Sequence, residues 1–169
     1  VAFQLGDKVL SFKVGIYNQE YDLVIDPLIW STWISGAKED SYVYDLAADN
    51  SGNVFITGYC NSNTFPVVSG SFNTKYYGSG QDAIITKVKP DGTGILFTAI
   101  ISGSGVETGY RICYEYPFVY MAGQTISSDI PVTSAAFQKS RASTQDAFFV
   151  KISEDGTQLI TCSYLGGKS

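Results

Sequence analysis

Apolar and polar residues alternate with a period of two along most of this chain, in runs of seven or eight broken by Gly, Asp and Asn. Residues 42–48, 53–60, 82–89 and 95–102 read as four strands in succession. The "DNSGN" turn follows the first, and "PDGTG" joins the third to the fourth, with Asp-Gly supplying the positive-φ positions a tight hairpin needs. A long connection carrying a Pro and an aromatic separates the second strand from the third. Further strand-like runs lie at 1–5, 8–16 and 21–25, with turns at Gly-Asp and Asn-Gln-Glu.

The same order of elements then occurs again. "NVFITG" falls on "FVYMAG", matching Gly58 to Gly123, and "TFPVVSGSFN" falls on "DIPVTSAAFQ", matching Pro66 to Pro131 and Phe72 to Phe137. "QDAIITKVKPDGT" falls on "QDAFFVKISEDGT", matching Asp82 to Asp146, Lys87 to Lys151 and Asp91-Gly92 to Asp155-Gly156. The period is 64 to 67 residues, from Asp82 to Asp146 at one limit and from position 41 to position 108 at the other. A four-stranded antiparallel meander repeated in tandem is the blade of a β-propeller. The reading is all-β: a partial propeller with two four-stranded blades, an N-terminal β segment and an orphan strand.

The phrases "DLAADNSGNVFITGY", "FPVVSGSFNTKYYGSGQDAIITKVKPDGT" and "SYLGG" resemble the bacterial β-propeller repeat abbreviated SBBP, over about 41–169. The preceding "YDLVIDPLIWSTWISG" is similar to the segment leading into the first such repeat. The resemblance implies a secreted or surface-exposed bacterial propeller. In the second unit "YEYPFVY" stands in place of the Asp-x-x-Gly-Asn turn, so the polar turn side chains have no counterpart there. The expected organisation is 1–27 as the end of an upstream β-domain and 28–36 as an orphan outer strand. Residues 37–104 then form the first blade, and 105–169 the second with the start of a third. Propellers close with 4 to 8 blades, so the expected folding unit is larger than this chain.

Composition narrows the function. Net charge is −5 and the eleven Lys and Arg are scattered, without the basic footprint of a nucleic-acid binder. No apolar run approaches the roughly 20 residues that span a bilayer. There is no His, which removes the usual triads and zinc spacings, and no G-x-S-x-G, Walker or dinucleotide motif. No catalytic residue is assigned and the expectation is a non-enzyme. Cys60 and Cys113 fall in strands of neighbouring units and could face each other, but free buried thiols behaving as small hydrophobes are preferred for Cys60, Cys113 and Cys162.

Asp49, Ser51 and Asn53 present alternate oxygens like a calcium loop, the one cofactor the sequence hints at. Position twelve of that count is Cys60, where a bidentate carboxylate is needed, so turn closure is the preferred reading. Asp82 and Asp146 read as fold determinants rather than a catalytic pair. Of the many Tyr and Trp, Tyr76 and Tyr77 in the long polar connection are expected to be exposed and to contact a ligand. The expected partners are a protein or glycan at the cell surface, met by the loops 61–80 and 125–145, together with further blades from a longer chain or other subunits. Two other readings are a structural subunit of a surface filament and a piece of a secreted hydrolase or lyase.

Overall fold

The computed structural model describes residues 2–6, 9–13, 15–16, 18, 20, 30–36, 41–68, 70–73, 75–76 and 80–167. Ten strands are present among them. A hairpin of β1 (Ala2–Gly6) and β2 (Val9–Lys13) is followed by two four-stranded antiparallel sheets. The first is β3 (Ser41–Ala48), β4 (Val54–Cys60), β5 (Asp82–Val88) and β6 (Ile95–Ile101), hydrogen-bonded in chain order. The second is β7 (Glu107–Glu115), β8 (Phe118–Thr125), β9 (Asp146–Ser153) and β10 (Leu159–Leu165), also in chain order. Both meanders match the expected blades. The strand expected at 21–25 and Tyr77 lie outside the described residues.

The turns form for the reasons the sequence offered. Gly92 and Gly156 take φ of 70° and 72° in the β5–β6 and β9–β10 hairpins. The preceding Asp91 and Asp155 each accept a hydrogen bond from the backbone of the Thr two residues on, at 3.0 Å. The β7–β8 turn is shorter than the Asp49–Asn53 turn and runs through Tyr116 and Pro117.

The sheets stack face to face. Phe55, Ile85, Phe97 and Ile101 of the first blade bury against Val119, Met121, Phe148, Val150 and Ile152 of the second. Phe55 stacks on Tyr114, with ring centroids 5.1 Å apart and planes 16° apart. Thr57 Oγ1 lies 2.9 Å from Met121 Sδ, and Phe72 donates its amide to Gly156 O at 2.9 Å. On its other face, the first blade is covered by Phe65, Tyr76 and Ile34, which pack on Cys60, Ile84 and Ile100. Strand β5 is therefore buried at every position, whereas β8 and β9 alternate. A strand covered on both faces reads as a continuous apolar run, and one covered on a single face reads as alternation.

The connections after β4 and β8 run along the outer edge of each sheet. Asn73 O accepts from Ile100 N at 3.0 Å, and Asn73 Nδ2 donates to Ile100 O at 2.8 Å. In the second blade Tyr164 N donates to Gln138 O, and Thr133 N to Cys162 O, both at 3.1 Å. An outer strand leaves a row of unpaired N–H and C=O groups, and these segments cover it. Asn73, Thr133 and Gln138, within the loops 61–80 and 125–145 expected for recognition, are thus committed to edge protection.

Residues 30–36, expected within an outer strand, have no regular secondary structure and no ladder partner among the described residues. A strand needs such a partner to form. The segment nevertheless takes the place that β6 takes against the next blade. Trp30 packs on Gly92 as Phe97 packs on Gly156, each so closely that an added Cβ would lie 2.5 Å from the ring. Gly36 meets Ser62 as Gly103 meets Ser127.

Candidate binding surface at the inner edge

The innermost strand of each blade carries a β-bulge at the same position. The β3–β4 register shifts between Val43 and Asp45, leaving Tyr44 as the extra residue; the β7–β8 register shifts between Gly109 and Arg111, leaving Tyr110. A bulge re-aims the side chain it carries. Gly58 and Gly123 lie opposite these bulges. A Cβ on Gly58 would lie 1.7 Å from Tyr42 O, and one on Gly123 would lie 2.1 Å from Thr108 O. The glycines repeated in the two units are therefore what admits the bulged backbone.

The bulged tyrosines meet edge to face, ring centroids 5.3 Å apart and planes at 63°. Tyr44 also lies 6.1 Å from Tyr59, which in turn is 5.2 Å from Tyr42. Tyr42, Tyr44 and Tyr110 keep 50%, 46% and 37% of their surface exposed. The result is an arc of four tyrosines that crosses from one blade to the next. Asp45 fixes the spacing of the two inner strands by accepting from Ile112 N at 3.0 Å. Arg111, at the matching position of the second blade, is exposed and donates Nη1 to Tyr110 O at 2.8 Å. The arc presents flat apolar rings with hydroxyl tips on rigid strands, which suits contact at small entropic cost.

The buried carboxylates are occupied elsewhere. Glu107, fully buried, accepts from Gly103 N at 2.7 Å and Thr125 Oγ1 at 2.6 Å. Asp146 accepts from Ala142 N at 2.6 Å and Ser143 N at 3.2 Å, tying the loop back to β9. Asp82, its counterpart, is likewise buried. Asp49 Oδ1 accepts from Ser51 N and Asn53 N, both at 2.9 Å, while Oδ2 accepts from Asn53 Nδ2 at 2.7 Å and faces Lys87 Nζ at 3.1 Å. Burial pushes the Asp49 carboxyl up, but hydrogen bonds from Asn53, Lys87 and Ser51 outweigh it and hold it below the ordinary value. Asp49, Ser51 and Asn53 thus close a turn, and a calcium ion at Oδ2 would meet the Lys87 ammonium. Among the described residues no group of three or more acidic, Cys or His residues could hold a metal.

Lys87 also reaches Glu154 Oε1 of the second blade at 3.0 Å and lies 4.7 Å from the Phe55 ring centroid. Tyr76 is half-buried, its hydroxyl 2.7 Å from Gly80 O and 3.1 Å from Asn61 Oδ1. It serves the loop and the far face of the first blade rather than the surface. All three cysteines are free; Cys60 and Cys162 are buried as expected, but Cys113 is exposed on β7. Burial, reinforced by the charges of Asp82 and Glu107 respectively, pushes the Cys60 and Cys162 thiols up to about 12. A concavity of about 680 Å³ lies between the blades, lined by Phe72, Asn73, Ser102 and Asp129 among others. Asp129 Oδ1 there already accepts from Ser104 N at 2.8 Å and Ser104 Oγ at 3.0 Å.

Two stacked four-stranded meanders, each with a bulged inner strand and an edge-covering connection, define a class: these are adjacent blades of a β-propeller, and the chain is a partial propeller. Comparison with protein families agrees, since residues 29–66 match the family model SBBP, described as a Beta-propeller repeat. The matched stretch takes in 30–36, β3 and β4. A comparison with curated proteins found no match.

Proposed function

We propose that the chain is a non-enzymatic propeller scaffold and binding module, carried outside a bacterial cell, that contacts a protein or a glycan through its inner-edge tyrosines. The observation behind this reading is the arc of Tyr42, Tyr59, Tyr44 and Tyr110. Three of these rings stay exposed although burying an aromatic is worth about 1.5–3 kcal/mol. Exposed aromatics held on strands by repeated bulges support a contact surface, and the buried carboxylates already engaged in structural hydrogen bonds favour binding over catalysis. Tyr76 has no part in this contact.

The test is a glycan array and a pull-down from surface proteins, run with the parent chain and with Tyr44→Ala/Tyr110→Ala. Both tyrosines are substantially exposed, so the fold is expected to survive the change. Binding by the parent that is lost in the double variant supports the reading. Binding unchanged by the double variant, or hydrolysis of a bound glycan, contradicts it.

A further inference from the structure

The concavity between the blades holds a charge that the fold does not use. Its volume of about 680 Å³ lies within the roughly 300–1,000 Å³ of small-molecule sites. Phe72, Pro131 and Leu159 give it an apolar side, and Asn73, Ser102, Ser104 and Asp129 a polar one. Asp129 carries the charge of this lining. Its Oδ1 is committed to Ser104, whereas Oδ2 accepts no hydrogen bond and meets no cation among the described residues. Glu107, whose Oε2 holds the Gly103 amide at 2.7 Å, adds a second carboxylate behind the wall. The repeat does not demand an acid at this place. Thr64 occupies the matching position of the first unit, its hydroxyl 2.8 Å from Ser62 Oγ.

The donors beside Asp129 are turned toward the protein. Asn73 Nδ2 donates to Ile100 O at 2.8 Å and Ser102 Oγ to Lys75 O at 3.4 Å, while the Ser104 amide and hydroxyl both go to Asp129. The Phe72 and Gly103 amides are likewise spent, on Gly156 O and Glu107 Oε2. What faces the space is a set of oxygen acceptors around one negative charge, next to an aromatic ring.

We propose that this concavity is a binding site for a small primary ammonium ion with a short apolar chain, the class of the aliphatic amines. The ammonium would donate to Asp129 Oδ2 and neighbouring oxygens, and the chain would lie along Phe72, Pro131 and Leu159. An ammonium has three donors and no acceptor, so nothing on it is left unsatisfied here. An anion would face Asp129 unopposed, and the hydroxyls of a sugar would find few donors for their lone pairs. The site is separate from the tyrosine arc and does not depend on what that arc binds.

Titration with n-butylammonium chloride at constant ionic strength, followed by amide proton–nitrogen NMR spectra, tests the assignment. The Gly103 and Ser104 amides should shift saturably, and butanol or sodium butyrate at the same concentrations should leave them in place. Asp129→Asn keeps an oxygen for Ser104 and removes the charge, so it should weaken n-butylammonium binding by about tenfold or more. Asp129→Thr, with the residue of the matching position, should do the same, and Tyr44→Ala/Tyr110→Ala should change nothing. Nα-acetyl-lysinamide separates the sources of such a group: tighter binding than n-butylammonium assigns the site to a lysine side chain of a protein, weaker binding to a free amine. No saturable shift with n-butylammonium, equal shifts with butanol, or binding undiminished in both Asp129 variants overturns the proposal.

Discussion

Replacing Lys87 by Met removes the cation at the junction of the two blades and leaves two carboxylates without it. The Lys87 and Asp49 side chains are 9% and 4% exposed, and that of Glu154 is 28% exposed. Taking one partner from a buried pair costs about 3–5 kcal/mol, because the remaining charge is stranded away from water. Asp49 keeps three hydrogen bonds from Ser51 and Asn53, which places the expected loss near the lower end, at about 3 kcal/mol. For a domain of this size that is a fall in melting temperature of about 6–12 °C. Glu154 lies closer to water, so Glu154→Gln should cost only about 1 kcal/mol. Most of that should vanish in the Lys87→Met background, giving a coupling of about 1 kcal/mol. Urea unfolding followed by circular dichroism measures all four corners of this cycle. A Lys87→Met cost below about 1 kcal/mol, the range of a solvated surface pair, would refute the buried junction. A zero coupling to Glu154 would show that Lys87 does not join the blades.

Three further outcomes follow from the same structure. Gly58→Ala should destabilise by about 1–3 kcal/mol, because its Cβ would strike the Tyr42 carbonyl and backbone cannot step aside; Gly167→Ala, with open space around it, should be near neutral by thermal melting. With Ellman's reagent the native chain should release one equivalent, from exposed Cys113, while Cys60 and Cys162 react only on denaturation. The native Asp49 carboxyl is depressed below its unfolded value of about 3.9. Its stabilising contribution is therefore complete above that value and is lost as pH falls through the native one. Asp49→Asn should flatten the acid limb of the stability–pH curve below about pH 4.

The blades were legible in the sequence because period-two runs and Asp-Gly turns are local features, and two copies reinforce each other. Asp146, read as a fold determinant because a repeated acid before a strand suits a loop anchor, accepts from Ala142 N and Ser143 N. The tyrosine arc was not legible. Its exposed members owe their direction to bulges at Tyr44 and Tyr110, which are set by cross-strand register against Gly58 and Gly123 and break the simple alternation. Gly58 and Gly123 were visible only as matched positions, although a glycine inside a strand often marks a bulge. Tyr76 misled because it sits in a polar connection, yet that connection folds back over apolar Ile84 and Ile100. The edge-covering role of the long connections depends on which strand is outermost, a fact of sheet order rather than of composition.

The central claim is that the two meanders stack as neighbouring blades, and the contact of Phe97 with Gly156 tests it most directly. The ring lies so close to this glycine that no side chain fits between them. In the proton NMR spectrum one Gly156 Hα should be shifted strongly upfield by the ring and should show nuclear Overhauser contacts to Phe97, both lost in Phe97→Leu. A Gly156 Hα at its ordinary position, without contacts to Phe97 in the folded chain, would contradict the stacked-blade account.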